Sequence, residues 1–258
     1  MIGLKLRFIR EYNRTYTCLL NMFWHIQGMD AARVYMFHSI LDRQEQVYSK
    51  FAITKASFQQ FLQSELLRGQ KPMTAEDLMC AIEQPDKYAN RFMVSFDDIY
   101  DSVFVNAYPI LKEFAIPFIV FVTPSLIGTI DKDIRSNQPF VTLEHLKSLA
   151  DDPLCIIGAH GLQHIPFRNY TNGEDKQSVM ASKLWLEKQF GRKVNFFAFP
   201  YGRRVEVANR NIRNAQNADL AYAFSALNGS LKQRWLSGKY FLPRILVDED
   251  YVAKQYMQ

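Results

Sequence analysis

Apolar positions along the chain switch repeatedly between two periods. PFIVFVT (117–123) is apolar at consecutive positions, which predicts a strand buried on both faces. RFMVSF (91–96), LCIIGAH (154–160), NFFAF (195–199), AYAFSA (221–226) and FLPRILV (241–247) are shorter runs of the same kind, and RVYMFHSI (33–40) predicts a strand ending at His38. Between them the spacing becomes helical. SFQQFLQSELLRG (57–69) stops at Gly69, and TAEDLMCAIEQ (74–84) opens on a Thr cap followed by acids. DSVFVNAYPILKEFA (101–115) follows, with Pro109 bending the helix or setting its register. TLEHLKSLADD (142–152), EDKQSVMASKLWLEKQFG (174–191) and EVANRNIRNAQNA (206–218) complete the set.

Strand and helix thus alternate at intervals of about 30 residues, the pattern of a parallel sheet. Seven or so such units in 258 residues predict an α/β fold, a distorted (β/α) barrel of about seven parallel strands. Residues 1–32, with the apolar stretch TCLLNMFWHI and a break near Gly28, read as an N-terminal helical extension to a barrel over 33–258.

Composition narrows the function classes. The chain is 48% hydrophobic and 22% charged, enough to bury a sizeable core. Its net charge of +5 permits an anionic partner without demanding one, and no DNA or RNA motif is present, so nucleic acid is excluded as a partner. Lys5, Arg7, Arg10 and Arg14 could rest against anionic lipid, although such clusters are usually solvated helix faces. Cys18, Cys80 and Cys155 are odd in number and far apart, which predicts reduced, buried thiols. No run approaches the ~20 apolar residues of a membrane span, and charges interrupt the start of the chain, so no signal peptide is visible. The expected location is cytoplasmic, with peripheral contact at the inner membrane face allowed.

The polar residues collect at particular places. His38, Asp97, Asp98, His160, His164 and the turn Pro200-Tyr201-Gly202 all fall where a predicted strand meets its loop. In β/α barrels those ends share one rim, where active sites lie. Each signal alone has a plain structural explanation: Asp-Asp as a helix cap, His38 as a satisfied histidine, FPYG as a turn. Together, two histidines and one carboxylate on one rim form the ligand set of a catalytic zinc-type site, and the neighbouring carboxylate has room to act as a base.

VSFDD, followed by GAHGLQH and then FAFPYG, resembles the polysaccharide deacetylase (NodB-homology) family of carbohydrate esterases, over about residues 33–247. The resemblance implies Asp97 as base and Asp98, His160 and His164 as ligands of a divalent metal, Zn2+ first, with Co2+ or Ni2+ as alternatives. It implies that Pro200, Tyr201, Gly202 and Arg203 meet the substrate, with the Tyr201 N–H facing the oxyanion. It also implies the chemistry: hydrolysis of an acetyl or other small acyl group from an N-acylated amino sugar of a polysaccharide, oligosaccharide or lipid-linked glycan. Three departures stand out. Ser95 and Ile99 replace the usual Thr and Gly around the aspartates, and Ile99 is expected to crowd the metal loop. Ala198 stands where an Arg often pairs with the base, leaving Arg168, Arg203 or Arg204 to reach in. No His follows His164, so the acid falls to His38, as in relatives with a histidine on the early strand. The rival reading is a degenerate, non-catalytic sugar-binding domain of the same fold.

Overall fold

A computed structural model describes residues 31–43, 49, 51–132, 136–233 and 238–256. The helical extension expected over 1–32, with its basic cluster, lies outside the described residues save for Ala31 and Ala32.

Among the described residues ten strands form, in chain order β1 (Arg33–Phe37), β2 (Ser39–Leu41), β3 (Ala52–Thr54), β4 (Lys71–Pro72), β5 (Arg91–Phe96), β6 (Phe118–Val122), β7 (Cys155–Ala159), β8 (Phe196–Ala198), β9 (Tyr222–Phe224) and β10 (Ile245–Leu246). Seven lie in the order β10-β1-β5-β6-β7-β8-β9, every pairing parallel, with β4 beside the start of β5 and β2–β3 as a separate pair. The path bends round until its ends nearly meet. Phe224 of β9 bridges Leu242, three residues before β10, and Ser225 N–H donates to the Leu242 carbonyl at 2.7 Å. The fold is the expected distorted (β/α) barrel.

Consecutive apolar residues serve two cores. In β6, Phe118, Val120 and Val122 join the large core beneath the surrounding helices, while Ile119 and Phe121 join Met93, Phe196, Phe224 and Leu242 in a second core inside the barrel. A two-sided strand buries both sets, so the run is apolar throughout.

Among the described residues the helices are α1 (Lys55–Leu67), α2 (Ala75–Glu83), α3 (Tyr108–Glu113), α4 (Leu143–Ala150), α5 (Asn172–Phe190), α6 (Asn209–Gln216) and α7 (Glu249–Tyr256). Thr54, Thr74, Thr142 and Thr171 accept N-terminal N–H groups of α1, α2, α4 and α5, and Gly191 closes α5 at φ 64°. Pro109 does not simply bend its helix. A π-turn over Val103–Ala107 precedes it, widening the coil where proline cannot donate to the previous turn. Cys18 lies outside the described residues; of the other two thiols, Cys155 is buried as expected, whereas Cys80 is exposed, since α2 buries Leu78, Ala81 and Ile82 and turns Cys80 outward.

The late strand is shorter than 241–247 suggested. Pro243 has no N–H for a ladder, and the chain before it runs along β9, with Leu242 N–H on Ala223 O at 2.9 Å. That detour places residue 244 at the seam of the barrel.

Candidate active site at the strand ends

Asp97 and Asp98 follow β5 directly, where the strand ends in a tight turn. Ile99 N–H donates back to Asp97 O at 2.7 Å, and both Asp98 and Ile99 hold positive φ, 65° and 52°. A β-branched residue in that region costs about 1–2 kcal/mol, offset here by complete burial of the Ile99 side chain in the core. The expectation that Ile99 crowds the metal loop is therefore corrected: its side chain packs into the core beneath the turn. The turn also separates the carboxylates, so that neighbouring aspartates meet different partners.

Asp98 meets the histidines. Its Oδ1 lies 3.0 Å from His164 Nε2 and 3.4 Å from His160 Nε2. His160 Nδ1 is 2.8 Å from the Ala198 carbonyl, which can only accept, so Nδ1 carries the proton and Nε2 turns a lone pair to the cleft. Asp98 Oδ1 is buried and lacks a well-formed hydrogen bond despite these neighbours. Three lone-pair atoms pointed at one another need positive charge among them, either a proton on His164 or a metal ion. Burial opposes charge on both groups, but the attraction outweighs it: the Asp98 carboxyl is held well below its usual range and the His164 imidazole is raised. Ligands about 2.1 Å from a tetrahedral ion stand about 3.4 Å apart, close to these spacings, and the donor set of two imidazoles and a carboxylate suits zinc. The three offered atoms all lie within 4.8 Å of one another. The residues fit a divalent cation.

Asp97 meets an arginine that the sequence had not singled out. Arg244 Nη1 and Nη2 grip its two carboxylate oxygens at 2.6 and 2.7 Å. This guanidinium is 1% exposed, lies over the Phe121 and Phe224 rings, and gives its Nε–H to Ser225 O at 3.0 Å. Ser95 Oγ accepts from Arg244 Nη1 at 3.3 Å and donates to Tyr35 O at 2.9 Å. Burial would raise the Asp97 carboxyl, but Arg244 keeps it below the ordinary carboxylate range. The expected candidates are engaged elsewhere: Arg203 with Glu206, Arg168 with the Arg204 carbonyl, Arg204 over the Phe241 ring. An arginine inside the apolar run LPRILV was the available signal, because a buried guanidinium must be paired.

His38, where the strand was expected to end, links β1 to β2, one residue past the end of β1. Its ring packs on Phe51, 4.7 Å between centroids, and its Nδ1 is buried without a hydrogen-bond partner. Burial lowers its pKa, although Asp97 and Asp98 pull the other way. Past the buried Pro200, Tyr201 packs at a tilt against His164, 4.7 Å between ring centroids, and stays 48% exposed, at φ 61°. Gly202 also has φ 61°, and a Cβ there would stand 2.5 Å from Ala226 N. Gly202→Ala should therefore cost about 2–4 kcal/mol, left-handed strain plus a backbone clash, read as a lowered thermal midpoint. A midpoint unchanged from wild type would show that the turn tolerates a side chain.

Residues 85–223 match the polysaccharide deacetylase family. The poly-β-1,6-N-acetyl-D-glucosamine N-deacetylase of Staphylococcus aureus is 25% identical over 167 residues, 61% of this chain and 54% of that protein, so the chain spans about half the length of this relative. Two solved structures share the fold. IcaB from Ammonifex degensii superposes with a TM-score of 0.74 at 22% identity, covering 88% of this chain and 95% of that one. The Streptococcus pyogenes deacetylase PplD, in complex with acetate, gives 0.68 at 19% identity, covering 87% and 97%.

Proposed function

This chain belongs to the polysaccharide deacetylase family, and on that premise we propose that it is a hydrolase that removes an acetyl group from an N-acetylated sugar of a glycan. The observation that carries the reading is the pairing of Asp98, His160 and His164 around one point with an arginine-held Asp97 beside it. Asp98, His160 and His164 would hold a divalent cation, zinc by its donor set, which supplies Lewis acidity at the acetamide carbonyl and to water. Asp97 takes the proton from the attacking water. Arg244 fixes the orientation of that carboxylate and keeps it ionised, hence basic, at neutral pH. The Tyr201 N–H donates to the developing oxyanion, and the Tyr201 ring walls one side of the cleft. His38 delivers a proton to the departing sugar nitrogen.

The departures that favoured a degenerate sugar-binding domain are compensated here. Arg244 stands in for the arginine missing at Ala198, and Ile99 is buried below the turn. The direct test is metal analysis of the purified chain together with acetate release from N-acetylglucosamine oligomers. A metal-loaded chain that binds these oligomers and releases no acetate would overturn the enzyme reading.

The lowered pKa of His38 adds a pH prediction. An acid must be protonated, so kcat/KM for the amide should fall as pH rises through a value below the ordinary histidine pKa of about 6.5. His38→Ala should keep the fold and the bound metal, lose about 10²–10⁴ in amide hydrolysis, and spare activated aryl esters, whose leaving group needs no proton. Equal impairment on both substrates, or an alkaline limb that survives the substitution, would remove His38 from this role.

A further inference from the structure

Helix α5 has a buried face of mixed chemistry. It buries Asp175, Ser178, Ser182 and Lys183 beside Val179 and Leu186, where an amphipathic helix would present apolar residues. A buried polar group needs a partner, and the partners show what each is for. Lys183 pairs with Glu187 at 3.0 Å and the Ser182 hydroxyl donates to Val179 O at 2.9 Å, both within the helix. Ser178 and Asp175 instead serve the segment that carries His160 and His164. The Leu162 N–H donates to Ser178 Oγ at 3.0 Å. Asp175 accepts from Asn211 Nδ2 of α6, which also donates to Phe167 O at 3.3 Å. Two residues one turn apart on α5 thus support the segment near both of its ends.

The two histidines depend on this support unequally. His160 is fixed by its own atoms. Its N–H donates to Val122 O at 2.9 Å, its carbonyl accepts from Thr123 Oγ1 at 3.2 Å, and its Nδ1–H meets Ala198 O at 2.8 Å. His164 is 24% exposed, and its ring faces Asp98 with the Tyr201 ring alongside. Its place therefore follows the backbone of the loop. Leu162, midway between the histidines, is where that backbone is tied on both sides: its N–H to Ser178 Oγ, and its carbonyl accepting from Ser125 N–H at 3.3 Å. Of these two ties, only the one to Ser178 runs through a side chain. The loop also lies close against that hydroxyl, since a Cβ at Gly161, itself at φ 78°, would stand 3.4 Å from Ser178 Oγ.

We propose that Ser178 is a positioning residue of the metal site, which sets the affinity for a divalent cation from outside the ligand set. Ser178 holds Leu162, Leu162 fixes the loop, and the loop presents the His164 imidazole to an ion shared with Asp98 and His160. The inference rests on the ligand set assigned above. Its physical basis is preorganisation: a ligand already in place loses little freedom when the ion arrives, so cutting the tie is read as weaker metal binding.

The probe is Zn2+ alone, titrated into the metal-free full chain against a chromogenic chelator. Ser178→Ala leaves the Leu162 N–H without its acceptor and should raise the Kd for Zn2+ about 10- to 100-fold, the usual effect of losing an outer partner of a metal site. Ser178→Thr keeps the hydroxyl and should return most of that affinity. In Co2+-loaded protein, Ser178→Ala should shift the visible absorption bands, because His164 is the ligand that moves. A general loosening of α5 would lower the melting temperature and leave the bands in place. Hydrogen exchange on the wild type reads the tie directly: the Leu162 N–H should be protected even without metal, and this measurement decides the matter where Ser178→Ala does not fold. Unchanged Zn2+ affinity in a folded Ser178→Ala chain, a loss that Ser178→Thr does not repair, unshifted bands, or rapid Leu162 exchange in the wild type would each overturn the proposal. Zn2+ binding with the expected Ser178 effect, in a wild-type chain that releases no acetate, would retain it and sink the deacetylase reading instead. A wild-type chain that binds no Zn2+ would end the proposal together with the ligand assignment.

Discussion

Asparagine in place of Asp98 should strip the metal and bring amide hydrolysis to background, whereas asparagine at Asp97 should leave the metal bound and cost about 10²–10⁴ in turnover. The contrast follows from what each carboxylate touches. Asp98 Oδ1 faces two histidine nitrogens at 3.0 and 3.4 Å and has no adequate donor, so it is the group with a lone pair to give a cation. Both oxygens of Asp97 are taken by Arg244 at 2.6 and 2.7 Å, which turns its charge to the guanidinium. Asparagine there keeps one acceptor but sets an N–H2 against Arg244, adding a stability loss of about 1–3 kcal/mol that a thermal melt would separate from the kinetic defect. Plasma emission spectrometry on each purified variant reads the metal, and acetate release reads the chemistry. An Asp97→Asn protein without metal, or an Asp98→Asn protein with it, would reverse the two roles.

Arg244→Met should be the most destabilising of these changes, by about 3–5 kcal/mol at neutral pH, because it leaves a buried carboxylate with no countercharge. The sign of its pH dependence is fixed. In the wild type, the arginine depresses the Asp97 pKa, so the pair stabilises the fold above the carboxyl's unfolded pKa, and that stability is lost as pH falls through the lowered value. In the variant, burial acts unopposed and raises the Asp97 pKa. The deficit should then be full at neutral pH, begin to shrink as pH falls through the raised value, and disappear only when the wild-type carboxyl is protonated as well, below the unfolded pKa of about 3.9. Denaturant melts between pH 4 and pH 7 read this directly, and Asp97→Asn/Arg244→Met should recover much of the loss. A deficit that does not vary with pH would show that Arg244 acts through packing on Phe121 and Phe224, not through charge. Turnover should fall as well, since the base loses its orienting partner.

Much of this protein is written locally. The threonine caps, Gly69, Gly191 and the two-sided apolar runs are short-range signals, and they delimit the helices and central strands to within a few residues. The parallel barrel follows from their alternation, and the convergence of Asp98, His160 and His164 follows from their place at strand ends in such a barrel. Neighbouring chain atoms set caps and periods, so no tertiary knowledge was required for them.

Other features depend on segments meeting across the chain. That Arg244, almost 150 positions after Asp97, holds that carboxylate arises from the seam where the chain runs along β9 before joining β1 through β10. That Ile99 turns into the core, and that Phe51 covers His38, likewise depends on which loops pack together. A bidentate ion pair or a ring contact is decided by a few ångströms between groups that share no local pattern. Sequence determined the elements and the rim on which the polar residues gather; tertiary packing decided which partner each of them has.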